Sequence, residues 1–306
     1  MYTSKCASNS VKSEEYLSKY EFICPTFAKG LTIAIFKFFS SQSDFSVHPL
    51  DYTHKVIIVN MAKISRVWSS RIRNLLFATL RLRSFREMRL VVLNEFGTTD
   101  LSLNSISSKL LPYLPYRFGT YVELGAYNGL SQSNSLLFQV DRFWRGILIE
   151  PIPDFFSVFI SNRGNLNKCA SYAAVSSVDI ETVTMANSGL MSAVTDTKGS
   201  IPNIEEHLKN GLQFLPVGHK LDRIKVKSKT LGNILLEVSA PKYIDILFLD
   251  VEGQELEVLA GIEFSKYVFQ YICIEARDIP EVQEFLSTEY TLVAKLTVHD
   301  YLFKRK

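Results

Sequence analysis

From Thr120 onward the chain alternates short apolar runs with amphipathic ones, and this alternation restricts the fold more than any other feature. The runs "TYVEL" ending at Leu124, "GILIE" ending at Glu150, "CASYAAVS" ending at Ser176, "IDILFLD" ending at Asp250 and "FQYICIEA" ending at Ala276 read as strands. Their near-continuous apolar character suits strands covered on both faces. Between and after them "LFQVDRFW", "PDFFSVFISN", "GQELEVLAGI" and "PEVQEFLSTE" read as helices. Strand and helix in alternation predict an α/β fold with a mostly parallel sheet. The ending "YTLVAKLTVHDYLFKRK" differs. Two strand-like runs separated by few residues predict an antiparallel hairpin at one sheet edge.

Ahead of about residue 115 the pattern is helical, which divides the chain into a mainly helical accessory region, 1–115, and an α/β domain, 116–306. Ile64, Val67, Trp68, Ile72, Leu75, Leu76 and Leu80 recur at three- and four-residue steps, one apolar stripe on a helix. Its other face is basic: eight Lys or Arg lie between Lys63 and Arg89 against the single acid Glu87. Such a face is either the solvated side of a packed helix or a surface for peripheral contact with an anionic membrane or a lipid-linked substrate. The run Leu31–Phe39 is interrupted by Lys37 and is far shorter than the roughly 20 residues of a spanning helix. It also lacks the basic leader and small-residue cleavage site of a signal peptide. The four cysteines, Cys6, Cys24, Cys169 and Cys273, form no Cys-x-x-Cys pair and have no histidine cluster nearby. Neither a disulfide framework nor a zinc site is therefore expected, no metal is assigned, and a cytoplasmic setting is the simplest expectation. A net charge of +3 over 306 residues gives no argument for nucleic acid.

In an open doubly wound sheet, ligands bind beyond the carboxyl ends of the strands. In "VELGAYNG", Gly125 and Gly129 permit a sharp turn, and a helix expected near Leu130 would offer free amides. The Gly-x-x-x-Gly spacing departs from the pyrophosphate-binding Gly-x-Gly-x-x-Gly, and Glu123 beside the loop suits a cationic nucleoside better than a polyphosphate. Glu150 ends the next strand about 25 residues on, where an acid accepts ribose hydroxyls in dinucleotide folds. Ala174 and Val175 fall where a purine ring would lie, and core packing explains them equally well. Asp250 ends a fully apolar strand, with Glu252 just after it and Glu275 at the neighbouring strand end. Carboxylates so grouped would share a proton, hold a divalent cation or contact sugar-like hydroxyls. Glu255 and Glu257 fit the positive end of the following helix. The histidines at 48, 54, 207, 219 and 299 stand in no catalytic setting and read as surface or packing residues. The long Gly/Ser/Asn/Thr-rich stretch from about Thr182 to Leu221 reads as an acceptor lid or a surface loop, with "SGLMSAV" nearest the ligand face.

The segments "VELGAYNGLSQSN", "GILIEPIP", "AAVSS", "KTLGNIL" and "IDILFLDVEGQELEVLAG" resemble, in order and spacing, the FkbM family of S-adenosylmethionine-dependent methyltransferases, over residues 119–306. The resemblance implies a class I methyltransferase fold, a seven-stranded Rossmann-like sheet, S-adenosyl-L-methionine as cofactor and methyl transfer to a hydroxyl of a sugar, glycolipid, polysaccharide or related small molecule. Carried over by position, the cofactor motif falls on Glu123, Gly125, Asn128, Gly129 and Glu150, and the fourth-strand motif on Asp250, Glu252 and Gly253. Asp250 is then the first choice for orienting or deprotonating the acceptor, with Glu252 or Glu275 next. Two departures stand out: Gly232 where the family often has Asp, and Leu249 where it often has Lys. The alternative reading is a catalytically inactive scaffold on the same fold.

Overall fold

The computed structural model describes residues 85–174, 178–197, 199–213, 215 and 221–306. Val175 and all but the last residues of the basic stretch 63–89, with the membrane contact expected of it, lie outside the described residues. In chain order the strands are β1 (Thr120–Leu124), β2 (Arg145–Ile149), β3 (Lys168–Ala170), β4 (Thr182–Asn187), β5 (Ala193–Val194), β6 (Asp222–Lys227), β7 (Tyr243–Leu249), β8 (Val268–Glu275), β9 (Tyr290–Lys295) and β10 (Asp300–Arg305). The helices are α1 (Phe85–Phe96), α2 (Ile106–Leu110), α3 (Leu136–Arg142), α4 (Pro153–Arg163), α5 (Ile204–Leu212), α6 (Leu231–Glu237), α7 (Glu255–Ala260) and α8 (Ile279–Leu286).

Seven strands form the main sheet in the order β3-β2-β1-β7-β8-β10-β9. The first five of that row run parallel, and β10 pairs antiparallel with both β8 and β9. This is the class I methyltransferase sheet, closed at one edge by the expected hairpin. The order reverses between β1 and β7, so the switch point where ligands collect lies at the ends of those two strands.

Strand periodicity sorts the core into two layers. Val122, Leu124, Ile147, Ile149, Leu247 and Leu249 face one side and pack with Leu231, Ile234 and Leu235 of α6 and Val258 and Leu259 of α7. Tyr121, Leu148, Ile246 and Phe248 face the other side and pack with Ile106 and Leu110 of α2, Leu137 and Phe138 of α3 and Phe159 of α4. Met88 and Val92 of α1 join Leu136 and Val140 in a further buried cluster. Pro153 opens α4, where its fixed φ and missing N–H suit a first turn.

Three local expectations change. Of the run "CASYAAVS" only Cys169 and Ala170 pair with β2, in a strand that starts at Lys168; Ala173 then bridges Ser228 instead. The helix expected near Leu130 begins at Leu136, because Asn128 Oδ1 accepts the Leu130 and Ser131 amides (3.0 and 2.8 Å) and holds that stretch as a turn. The segment after Thr182 carries regular structure: β4 pairs antiparallel with β5 and β6, and α5 starts behind Asn203, whose side chain accepts the Glu206 N–H. Among the described residues no helix is long and apolar enough to cross a membrane.

Candidate functional site

A cavity of about 390 Å³ opens where β1, β2, β7 and β8 end and β10 begins. Glu123, Gly125, Glu150, Ala174, Asp250, Glu252 and Glu275, scattered over more than 150 residues of sequence, all line it. Asn128 and Gly129 do not reach its wall, although both stand in the loop beside it. The wall is completed by Tyr127, Asn134, Phe155, Arg277 and Asp300, and by the Gly189–Met191 turn with Ser192 and Val194 of the segment after β4.

Glu123 borders the cavity, but its carboxylate is committed inward. It accepts from Ser133 Oγ (3.1 Å), the Asn134 amide (2.8 Å) and Ser135 Oγ (2.5 Å), and Arg163 Nη1 stands 3.4 Å away. Arg163, the last residue of α4, has a fully buried side chain. Its guanidinium donates to Gln139 Oε1 (2.7 Å), the Gly129 carbonyl (3.1 Å), Ser133 Oγ (2.7 Å), Tyr121 Oη (2.7 Å) and Ser135 Oγ (2.8 Å). A buried charge is tolerable when every donor is met, and here it is. The cation that answers Glu123 is thus the chain's own arginine. The pair staples the 125–135 loop to β1, α3 and α4. Nothing in the sequence marked Arg163, which resembles any helix-ending cation.

Glu150 is buried, its two oxygens taking the Tyr127 amide (2.8 Å) and the Ile152 amide (2.9 Å). Each oxygen keeps a lone pair beyond its amide partner. Burial pushes the Glu150 carboxyl up to about 8, the two amides offsetting part of the rise. Tyr127 and Phe155 meet edge-to-face with centroids 4.4 Å apart and form an apolar ledge beside it. Asn134 lines the same wall, and its buried Oδ1 has no hydrogen-bond partner.

The opposite end is acidic. Asp250, Glu252 and Glu275 gather there with Asp300, which the β8–β10 register sets directly opposite Glu275. Burial, then Glu275, Glu252, Glu255 and Asp300, hold Asp250 well above the usual carboxylate range, and burial and Asp300 raise Glu275 beside it. Interacting carboxyls of this kind titrate as a group. Glu252 is pushed up to about 8, chiefly by burial and then by Glu275, while Arg277 opposes the rise. Glu252 Oε2 lies 3.3 Å from His207 Nε2 and 3.6 Å from Arg277 Nη2. His207, expected at the surface or in ordinary packing, is instead buried beside the site; its helix lies in a segment whose Gly/Ser/Asn content obscured it. Glu255 keeps a local role, accepting the Gly253 amide at 2.9 Å. Among the described residues no three acids, histidines or cysteines are arranged to hold a metal ion.

The two departures fall outside the cavity. The Leu249 side chain is buried in the core under the sheet, and Gly232 packs at the start of α6, where its amide reaches the Gly261 carbonyl (3.0 Å) and a Cβ would stand 3.1 Å from that oxygen. Neither removes a group from the cavity wall.

The family described as "Methyltransferase FkbM domain" matches residues 123–303, the span that supplies nearly all of this wall. The chain belongs to the FkbM methyltransferase family. No curated protein matches it. Among solved structures, human methyltransferase 10 domain containing protein is 12% identical, with 72% of this chain and 96% of that chain covered and a TM-score of 0.37. The N-terminal domain of human METTL16 in complex with SAH is 12% identical over 72% and 81% of the two chains, with a TM-score of 0.36. A chain of the fibrillarin/Nop5p complex is 12% identical over 67% and 81%, with a TM-score of 0.34. These likenesses are distant.

This FkbM methyltransferase uses S-adenosylmethionine, and the cavity suits it. Glu150 offers two lone pairs to vicinal hydroxyls, Asn134 Oδ1 is an acceptor in want of a donor, Tyr127, Phe155 and Ala174 supply apolar surface, and the carboxylates favour a cation.

Proposed function

We propose that this FkbM methyltransferase methylates a hydroxyl oxygen of a polyhydroxylated small molecule, a sugar or glycolipid in kind. The observation that carries the reading is the division of one cavity into an end built for a nucleoside and an end lined by four carboxylates, which match the outward O–H donors of a polyol. Glu150, the backbone at Gly125, Tyr127, Asn134 and Ala174 would hold the cofactor; Asp250, Glu252 and Glu275 would hold the acceptor. When bound, the cofactor supplies an electrophilic methyl with a neutral thioether as leaving group. The residues' contribution is alignment, which in favourable cases is worth roughly 7–11 kcal/mol. Incubation with labelled S-adenosylmethionine and a panel of alkyl glycosides and glycolipids tests the reading. Label appearing as an O-methyl ether supports it; cofactor binding with transfer to nitrogen, carbon or sulfur acceptors alone would refute it.

Glu150 sets a pH dependence for the cofactor. Donors from ribose favour the ionised carboxylate, whereas burial favours the neutral acid in the free protein. Affinity for S-adenosylmethionine should therefore rise as pH climbs towards the Glu150 value of about 8, and level off above it. In the unliganded fold the sign is opposite. The folded value lies above the ordinary 4.5, so this group's contribution to stability is full below 4.5 and is lost as pH climbs through 8. Glu150→Gln should weaken binding about tenfold to a hundredfold, the range for a charged hydrogen bond, and flatten the rise. Calorimetric titration across pH reads both; an unaltered slope in the variant would take Glu150 out of this role.

Asp250 is held between the end of β7 and Glu275 and is the group best placed to orient the acceptor. Asp250→Asn should leave the cofactor Kd within about twofold and lower kcat on the order of 10²-fold, the scale of a small misplacement of the reacting atoms. Initial rates at saturating cofactor decide it.

A further inference from the structure

Glu252 occupies a backbone position that side chains avoid. Its φ is +52°, followed by Gly253 at +95°. For a long non-glycine residue this is strained backbone, and such strain persists where the surroundings fix it, often at functional positions. Here the surroundings are His207 and Arg277, from two different parts of the chain, both approaching the same carboxylate oxygen. His207 Nε2 is 3.3 Å and Arg277 Nη2 is 3.6 Å from Oε2. Arg277 Nη2 also lies 3.4 Å from His207 Nδ1. A guanidinium has only N–H groups to give, so Nδ1 is the acceptor of that pair and the imidazole proton sits on Nε2, facing Glu252. Nε2 is buried and makes no hydrogen bond, although Oε2 stands 3.3 Å away. Such contacts commonly tighten when a substrate closes the site. The same ring lies against the backbone of Met191, in the turn that lines the cavity.

Building on the reading of the site as a hydroxyl methyltransferase, we propose that Glu252 is the base that takes the acceptor's proton, and that His207 and Arg277 clamp its Oε2 so that Oε1 is presented to the cavity. The acceptor O–H bond breaks with its proton passing to Glu252. The oxygen's electron pair forms the O–CH3 bond, and the methyl–sulfur pair departs with sulfur as a neutral thioether. Asp250 is the poorer base, because the charged groups that act on it, Glu275, Glu252, Glu255 and Asp300, are all acids. Of the four carboxylates, Glu252 is the one with a guanidinium and an imidazole within 4 Å among the described residues, whereas Arg277 and His299 reach Glu275 only from farther off. The charged groups that act on its titration are Glu275 and Glu255, which hold the proton on, and Arg277, which draws it off. Burial and then Arg277 lower the His207 pKa, the Met191 backbone opposing them, which favours the neutral ring. His207 is a positioning residue in this scheme, since it reaches the acceptor only through Glu252.

Four full-length proteins test it: wild type, E252Q, H207A and H207Q. The acceptor is whichever glycoside of the panel above the wild type methylates fastest, and folding is checked by the thermal shift on adding S-adenosylmethionine. E252Q should keep cofactor affinity and lose kcat by about 10²–10⁴-fold, the range for a general base. H207A should lose about tenfold in kcat and move the acidic limb of the kcat profile to higher pH, because removing an N–H donor raises the pKa of the carboxylate it faced. H207Q, whose amide can donate in place of Nε2, should recover most of both. E252Q within threefold of wild type overturns the proposal, as does an unmoved limb in H207A or an H207Q as impaired as H207A. A second arm needs no acceptor. With the five histidines labelled with nitrogen-15, the His207 ring should report an Nε2–H tautomer that changes in E252Q; unchanged shifts there refute the clamp. If no glycoside is methylated, the hydroxyl reading fails while the ring spectra still decide the clamp.

Discussion

Replacing Arg163 by methionine is expected to destabilise the fold by about 3–5 kcal/mol, the usual cost of removing one partner of a buried ion pair. The variant keeps Glu123 in place, accepting from Ser133, Ser135 and the Asn134 amide, with its counter-charge gone. It also orphans the Gly129 carbonyl, which met the guanidinium, while Gln139 Oε1 keeps the Tyr121 hydroxyl and the Asn167 side-chain amide as donors. For a domain of this size the loss corresponds to a fall in Tm on the order of 10 °C. Cofactor affinity should fall with it, because the network fixes the 125–135 loop whose Tyr127 amide reaches Glu150. The companion Glu123→Gln/Arg163→Met removes both charges. It should be less destabilised than Arg163→Met alone, since no uncompensated carboxylate remains. Thermal melts of the three proteins decide it. A single variant within about 1 kcal/mol of wild type would mean that the serines and the Asn134 amide neutralise Glu123 unaided.

The strand ends were legible because two signals coincide there. A fully apolar run stopping at an acid, as at Glu150 and Asp250, marks both the strand and its ligand-facing end, and the structure brings Glu123, Gly125, Glu150, Ala174, Asp250, Glu252 and Glu275 to one cavity. What sequence concealed has particular causes. In β6, Asp222, Arg223, Lys225 and Lys227 face outward and only Val226 is buried, so the alternation is too shallow to stand out from a polar linker. His207 disappeared with it, being carried on a helix inside that same stretch. Arg163 and Glu123 lie 40 residues apart, and no local pattern says that a cation ending one helix will face an acid on the first strand. Asn128, assigned to the cofactor by its place in the motif, spends its side chain on Leu130, Ser131 and its own loop.

Gly125→Ala should be the most damaging single-methyl change in the site, costing about 2–5 kcal/mol and abolishing cofactor binding. Two penalties add. At φ +79° an alanine incurs on the order of 1–2 kcal/mol of backbone strain. Its Cβ would also stand 2.3 Å from the Asp250 carbonyl oxygen, a backbone atom fixed at the end of β7. Overpacking of this kind adds about 1–3 kcal/mol or more. The glycine expected to make room for a ligand thus makes room for the neighbouring strand end, and that contact sets the distance between the nucleoside end of the cavity and its acidic end. Gly97 separates the two penalties: its φ is +73°, and a Cβ there would meet nothing within 4 Å. Gly97→Ala should cost only the strain, about 1–2 kcal/mol, and leave S-adenosylmethionine affinity unchanged. Urea unfolding and calorimetry on both variants measure the difference. Equal losses at the two positions would show that β1 and β7 part without consequence and that the Asp250 contact does not define the site.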